Sequence, residues 1–425
     1  MSQALFGLFF VFLGTGMPIF VVLGLTAAVL LAADGASLLL LAQKVLDELN
    51  SELLMALPFF GMAAVFMQRG GIARALIDVS AAWMGRLPGG LGVVAVAGCT
   101  IFAAIAGSSV ATALAMGTIL VPAMIQRGYP ASFSTALIGT GGTLGILIPP
   151  SLPLILFAII AEESVPRLFL AGVVPGVLQA VMLILFVIWT ARRKGYPPEP
   201  RMSRAEFARV NLKALPAFAV PVIVAVGIYG GFVTVTEAAV LAALVAMLVG
   251  MTVYRGFTLA QAPAVMGHAV RSAASIMVII AMALAFGHWV TESGVPAAVV
   301  DFVTRNDLSA WQFLLAINLL LLVLGMFLEV ASIILIAVPI LMPVVTALGI
   351  DPIHFAIVIV VNMEIALLTP PVGLNLYVLS SISKVPIGEV IRGIWPFIAL
   401  FAVYLALITY VPALSLWLPN LVYGG

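Results

Sequence analysis

Charge is what this sequence has least of. Only 8% of its 425 residues are Asp, Glu, Lys or Arg, about a third of the share soluble domains carry, which excludes a soluble globular protein. The single cysteine, Cys99, excludes an internal disulfide and a cysteine-based metal site. With a net charge of +1 and no dense basic block, nothing points to nucleic acid. No Lys or Arg precedes the first apolar run and no small-residue cleavage signal follows it, so the N-terminus reads as a retained helix instead of a secretory signal. The longest polar stretch, 191–212, holds Pro197, Pro198 and Pro200 and is too short to fold alone. No Gly-Lys pair supports a nucleotide loop, and no His-Glu-x-x-His supports a zinc hydrolase.

Apolar runs are what it has most of. Hydrophobic residues make up 64%, and runs such as 168–190, 215–233, 238–254 and 395–416 reach the roughly 17–25 residues a helix needs to cross a hydrocarbon core. The expected fold is an all-α polytopic membrane protein. Its 38 Gly and 26 Pro are tolerated in such helices only where the freed backbone groups face protein or a water-filled cavity.

Basic residues orient the chain, because Lys and Arg collect on the cytoplasmic side. The loop 191–213 contains Arg192, Arg193, Lys194, Arg201, Arg204, Arg209 and Lys213 and is placed in the cytoplasm. Reading 53–67 as a crossing, 72–86 as a surface helix, 89–126 as a hairpin returning to its own side and 133–160 as one broken crossing leaves only Lys44, Arg167 and Arg305 outside.

A repeat follows. Pro122, Gly128, Pro149 and Pro150 recur at identical spacing as Pro343, Gly349, Pro370 and Pro371; upstream, Gly71-Ile72 and Ile77-Asp78 resemble Gly294-Val295 and Val300-Asp301. The expected division is a scaffold helix and interfacial arm over 1–50 and repeat 1 over 51–165, with hairpin 89–126 and broken helix 131–160. Linking spans over 166–255 carry the loop 191–213; repeat 2 covers 256–390, with hairpin 313–348 and broken helix 353–383, before a C-terminal span over 391–425. An odd number of crossings between the units inverts the second, and inverted repeats with discontinuous helices are an architecture of secondary transporters.

The chemistry is expected at the breaks. Ala106-Gly107-Ser108-Ser109-Val110-Ala111-Thr112 combines small residues with hydroxyls, exposing carbonyls for a hard cation and amides for an anion at a helix start; alternatively, small residues merely allow close helix packing. Gly139-Thr140-Gly141-Gly142-Thr143-Leu144-Gly145 runs into Ile148-Pro149-Pro150-Ser151, where a proline pair must unwind the helix. The second unit offers Asn362, Thr369 and Asn375 around Pro370 and Pro371, with its hairpin tip at 325–332. Candidate substrate contacts are Ser108, Ser109, Thr112, Ser151 and Asn375. Candidate Na⁺ contacts are Gly107, Thr140, Gly142, Thr143 and Gly145, then Ser332, Asn362, Thr369, Pro370 and Gly373.

Glu329 lies in an otherwise apolar hairpin and is a further candidate, because an intramembrane acid is costly to bury; the alternative is a tip acid that reaches water or binds backbone amides. Glu364 and Glu237 are secondary candidates of the same kind. His268, His288 and His354 have no metal-ligand spacing and read as packing residues, so no transition metal is expected. Asp34, Lys44, Asp47 and Glu48 flank or interrupt an amphipathic segment, 38–54, expected to lie along the outer interface.

At Leu57-Pro58-Phe59-Phe60, Gly85-Arg86-Leu87-Pro88-Gly89-Gly90-Leu91, Ile105-Ala106-Gly107-Ser108-Ser109-Val110-Ala111-Thr112-Ala113, Ile148-Pro149-Pro150-Ser151, Leu168-Phe169 with Ala171-Gly172-Val173-Val174-Pro175-Gly176, and Thr369-Pro370-Pro371-Val372-Gly373-Leu374-Asn375-Leu376, the chain resembles the large, DctM-like membrane subunit of tripartite ATP-independent periplasmic (TRAP) transporters. The resemblance implies an importer of small organic anions, such as C4-dicarboxylates or sugar acids, in the bacterial inner membrane. It implies Na⁺ as coupling ion, no other cofactor, a separate small four-helix membrane subunit, a periplasmic substrate-binding protein and elevator-type movement. It also implies one half-site at Ser108, Ser109, Thr112, 141–145 and Ser151, and another at Thr369, Pro370 and Gly373. The alternative is a stand-alone divalent-anion/Na⁺ symporter. A proton-translocating respiratory subunit is disfavoured because Lys44, Lys194, Lys213 and Lys384 all fall at span edges or loops.

Overall fold

A computed structural model describes residues 2–33, 35 and 37–424, and among these every regular element is a helix. Among the described residues, nine helices are long and apolar enough to cross a membrane. The chain is a multi-pass membrane protein.

The N-terminal region holds two helices, Ser2–Gly14 and Ile19–Ala33, where one scaffold helix was expected. They part at Gly16, whose φ is +79°, just before Pro18, which cannot donate to a continuing helix. The arm helix Leu38–Leu49 is shorter than the segment read from sequence, because Ser51 starts Glu52–Arg69. Asp34 and the side chains of Lys44, Asp47 and Glu48 lie outside the described residues. Glu52–Arg69 packs along Val235–Thr252, and the contact is backbone on backbone: a Cβ on Gly70 would stand 2.8 Å from the Gly250 Cα.

The first unit continues with the short helix Ile72–Met84, the hairpin Gly90–Ala106 and Ser109–Gln126, and the broken helix Ala131–Leu147 and Leu152–Ala161. The second has Val295–Arg305, the hairpin Ala310–Gly325 and Val330–Ala347, and the broken helix Pro352–Ala366 and Leu374–Ser383. Both short helices start after a left-handed glycine, Gly71 (φ +79°) and Gly294 (φ +74°), and both Pro-Pro bonds are cis. The arm Gly90–Ala106 has 17 residues and rises about 25 Å, short of a roughly 30 Å hydrocarbon core. In the leading halves of both broken helices every residue from Phe133 to Leu147 and from Ile353 to Ala366 is buried, so these two helices form the centre of the fold.

Between the units run Val165–Lys194 and Val235–Thr252, and Ala262–Glu292 leads into the second unit. The loop 191–213 is partly helical: Arg204–Ala214 forms a helix that passes through a 3₁₀ turn into Ala219–Tyr229. Its start is fixed by a capping box between Ser203 and Glu206. The C-terminal region is likewise two helices, Ile387–Tyr410 and Ala413–Tyr423, divided at Pro412.

Candidate substrate and ion site

The first hairpin turns at Gly107, in the left-handed region at φ +60°. A Cβ there would stand 2.5 Å from the Pro150 carbonyl oxygen, and the Leu152 amide donates to the Gly107 carbonyl at 3.3 Å. The tip is therefore seated on the break of the first broken helix. Ser108 caps Ser109–Gln126, accepting from the Ala111 amide at 3.4 Å. Its carbonyl accepts from the Thr112 hydroxyl at 2.8 Å.

The glycine run 139–145 is helical, and the unwound stretch is confined to 148–151. Physical reasons are visible glycine by glycine. A Cβ on Gly141 would meet the Cys99 side chain, one on Gly142 would meet Ala113, and one on Gly145 would stand 2.5 Å from the Ser108 carbonyl oxygen. These glycines let both arms of the hairpin press onto the broken helix. Thr140 and Thr143 are buried and donate to Ala136 O at 2.6 Å and Thr140 O at 2.8 Å. After the break, Ser151 is fully buried; its hydroxyl donates to Ile146 O at 2.5 Å and accepts from the Leu154 amide, bridging the gap that Pro149 and Pro150 leave.

In the second unit, Thr369 donates to Ile365 O at 2.7 Å, Pro370 lies in the unwound stretch and Gly373, at φ +51°, starts Leu374–Ser383. Asn375 reaches across to the first unit. Its Nδ2 donates to Ser109 Oγ at 2.6 Å and to Gly139 O at 3.3 Å, while its buried Oδ1 has no donor. Asn362 is placed elsewhere: its Nδ2 binds the carbonyl and side-chain oxygens of Asn318, both at 2.9 Å, and Asn318 Nδ2 donates to Thr409 Oγ1 at 3.0 Å.

Glu329 caps Val330–Ala347 by position, but its side chain makes no cap hydrogen bond. Its Oε1 and the neighbouring Ser332 hydroxyl are buried without a partner. Glu237 is accounted for otherwise: it is exposed and forms a capping box with Thr234. His354 is buried, its ring nitrogens 3.4 Å from Ser415 Oγ and 3.2 Å from Thr409 O, in keeping with packing. His288 lies 3.3 Å from Glu292, and His268 lines a surface pocket with Arg69 and Gln261.

The tips meet around one cavity of about 330 Å³. Gly107, Ser108 and Ser109 line it from the first hairpin, Leu152 and Pro153 from the first broken helix, Glu329 and Val330 from the second hairpin, and Leu374 from the second broken helix. Four helices, starting at Ser109, Leu152, Val330 and Leu374, thus direct their N-termini to one space. The helix dipoles that converge there favour an anion. Ser272 and Ser275 close the wall from Ala262–Glu292; sequence reading missed them because they are short hydroxyls in a long helix with no break. Gln179 and Asn318 were also missed, although each is a lone amide in an apolar run. A larger crevice of about 810 Å³ lies between Val330–Ala347 and Ala262–Glu292, with Ser51, Glu162 and His288 on its walls.

Residues 6–414 match the family described as the tripartite ATP-independent periplasmic transporter, DctM component. The chain belongs to that family. It is 43% identical over 399 residues, covering 94% of this chain and 93% of the relative, to the C4-dicarboxylate TRAP transporter large permease protein DctM of Pseudomonas aeruginosa. It is 40% identical over 433 residues, covering 98% of each chain, to the protein of the same description from Rhodobacter capsulatus. Its fold resembles the YdaH transporter of Alcanivorax borkumensis, described as having an unusual topology, with a TM-score of 0.60 at 16% identity over 88% of this chain and 90% of that one. A TRAP large permease is a transport protein and not an enzyme, and its description makes it one component of a tripartite system.

Proposed function

We propose that this TRAP large permease imports a small dianionic carboxylate of the C4-dicarboxylate class across the bacterial inner membrane, driven by Na⁺. The anion is received from a periplasmic binding protein, and a small four-helix membrane subunit braces the permease. The observation that carries this reading is the convergence of four helix N-termini on one cavity. The relatives described as C4-dicarboxylate permeases support the substrate class, with sugar acids as the competing class.

In this reading Ser108, Ser109 and Asn375, with Thr112 and Ser151 behind them, hold the carboxylates. Na⁺ takes the opposite ends of the breaks, where helix C-termini at Gly107, Leu147, Gly325 and Ala366 present carbonyl oxygens. Gly145, Thr369, Pro370 and Gly373 belong to those stretches, while Thr140, Gly142 and Thr143 shape them from within a continuous helix. Glu329 at the cavity wall would repel an anion, so a cation beside it and Ser332 lowers the cost of admitting substrate. The two units are inverted repeats, and the hairpins with the broken helices move as an elevator block past Glu52–Arg69, Val235–Thr252 and Ala262–Glu292. The crevice between Val330–Ala347 and Ala262–Glu292 lies on that boundary.

The test is uptake of labelled C4-dicarboxylates and sugar acids into proteoliposomes holding this chain and its small subunit, with an inward Na⁺ gradient, with and without the binding protein. Uptake that needs all three proteins and Na⁺ upholds the reading and names the class. Uptake by this chain alone overturns the tripartite part in favour of a stand-alone symporter, and Na⁺-independent uptake overturns the coupling.

A further inference from the structure

The tip cavity and the larger crevice share their walls. Leu156 and Ile159 on Leu152–Ala161, Ile279 and Ala283 on Ala262–Glu292, and Ala331 and Leu335 on Val330–Ala347 each put the cavity's last residue and the crevice's first one helical turn apart. Leu57 and Leu54 on Glu52–Arg69 are spaced alike. The crevice therefore leads from the cavity towards the ends of these four helices at Glu52, Ala161, Glu292 and Ala347, the ends expected outside from the placement of basic residues.

Its polar groups are nearly all acceptors. Leu335, Pro339 and Pro343 share one face of Val330–Ala347, and all three line the crevice. Proline has no N–H, so Pro339 leaves the Leu335 carbonyl without its helical donor, and Pro343 does the same to the Pro339 carbonyl. Backbone freed at membrane depth persists where it is buried in protein or lines a water-filled space. Thr291 and Thr346 donate to Gly287 O at 2.9 Å and Met342 O at 2.7 Å on their own helices, so they turn only oxygen lone pairs outward. Glu162 stands exposed at the mouth, and Glu329 lies at the inner end, on the cavity wall. No Lys or Arg is among the described residues of either lining. His288, which is in the crevice lining, lies 3.3 Å from the Glu292 carboxylate.

We propose that this crevice is the route by which a hydrated monovalent cation reaches Glu329 and Ser332, and that its lining admits the cation ahead of the dianion. The route rests on the Na⁺-coupled reading above and adds to it the path and the order of entry. Carbonyl and carboxylate oxygens replace a cation's water shell, and a cleft lined by one sign of charge concentrates the opposite ion. A dianion meets the same field as a barrier until a cation lies beside Glu329. The helix N-termini that then hold it, at Ser109, Leu152, Val330 and Leu374, belong to the cavity and not to the crevice.

The test is the reaction of introduced cysteines with membrane-impermeant methanethiosulfonates of similar size and opposite charge, in the full-length protein with Cys99 left in place because it is buried. Thr291→Cys and Thr346→Cys report the crevice, and Asn306→Cys, at an exposed position outside it, is the reference. The ratio of cationic to anionic reaction rate should be about tenfold higher in the crevice than at the reference. An equal or inverted ratio overturns the proposal. So does a failure of both crevice cysteines to react in variants that keep uptake, the result expected of a lipid-filled crevice. Labelling needs no transport, so these outcomes hold whether or not uptake depends on Na⁺. A second variant tests the route itself: Glu162→Lys, at an exposed position, should raise the Na⁺ concentration for half-maximal uptake at least about threefold, while the rate at saturating Na⁺ holds. An unchanged Na⁺ requirement overturns the route, whereas Na⁺-independent uptake by the wild type overturns the coupling on which it rests.

Discussion

Asn375 and Ser109 are far apart in sequence and lie on different units, yet the Asn375 amide donates to the Ser109 hydroxyl at 2.6 Å while also holding the Gly139 carbonyl. One side chain of the second broken helix thereby fixes the tip of the first hairpin against the first broken helix. Its Oδ1 has no donor in the protein, which leaves it free for a ligand. Replacing Asn375 by Ala removes both bonds and strands a buried hydroxyl and carbonyl, at about 1–3 kcal/mol for each group left unmet. Uptake is expected to fall at least about tenfold, with Asn375→Asp restoring less than half because it cannot donate. Wild-type uptake rates for Asn375→Ala would show that the pair does not hold the site.

Gly145 and Gly107 are expected to tolerate no side chain. An alanine at 145 would push its Cβ to 2.5 Å from the Ser108 carbonyl oxygen, and at 107 to 2.5 Å from the Pro150 carbonyl oxygen, in each case against backbone that cannot rotate away. Position 107 also has φ +60°, a conformation an L-residue adopts at a cost. Overpacking of this kind costs about 1–3 kcal/mol. Both alanine variants should show lowered melting temperatures in detergent and uptake reduced beyond what the lost protein explains. As a control, Gly267→Ala, where nothing lies within 4 Å, should behave as wild type.

Replacing Pro370 and Pro371 together by Ala returns two N–H donors to the second break and lets Pro352–Ala366 and Leu374–Ser383 approach continuity. Expression and melting temperature should hold while uptake drops at least about tenfold, because closing the break withdraws the Leu374 N-terminus from the cavity. Full uptake in the double variant would refute the role of that break.

The proline pairs and the serine-rich tip were legible from residue type alone, since each constrains backbone locally. Other features were not. Gly139–Gly145 looks like a flexible stretch by composition, but it stays helical because Cys99, Ala113 and Ser108 pack where its side chains would be. That packing is tertiary and leaves no local mark. Asn362 looked like its counterpart in a polar half-site, whereas the fold gives its donor to Asn318, a residue that a reading of breaks had no reason to inspect. The split at Gly16 and the helix Arg204–Ala214 were missed for a different reason. The signals, Gly16-Met17-Pro18 and Ser-x-x-Glu at Ser203, were present but lay in segments read only for hydropathy and charge.

Glu237 separates an intramembrane-acid reading from a capping one. Its carboxylate accepts from the Thr234 amide at 2.8 Å, and its amide donates to Thr234 Oγ1 at 3.2 Å. Glutamine serves the same box, so Glu237→Gln should leave uptake, Na⁺ dependence and melting temperature unchanged. Thr234→Ala should cost about 1 kcal/mol without affecting the Na⁺ dependence. A loss of Na⁺ coupling in Glu237→Gln would assign the residue to ion work instead.

Glu206, outside the membrane, gives the pH prediction. The Ser203 amide and hydroxyl both donate to its Oε2 at 2.9 Å, and these bonds, with Arg209 nearby, hold its carboxyl below the usual carboxylate value. A group depressed on folding stabilises the folded form above its unfolded value, and that contribution is lost as pH falls through the folded one. The start of Arg204–Ala214 should therefore loosen in acid, below the ordinary carboxylate range, and be indifferent to pH above it. Hydrogen exchange of the amides at 204–207, corrected for intrinsic rates, should show protection falling with acidification in wild type. In Glu206→Gln, whose amide cannot titrate, protection should be flat across the same range; a parallel fall in both would place the titrating group elsewhere.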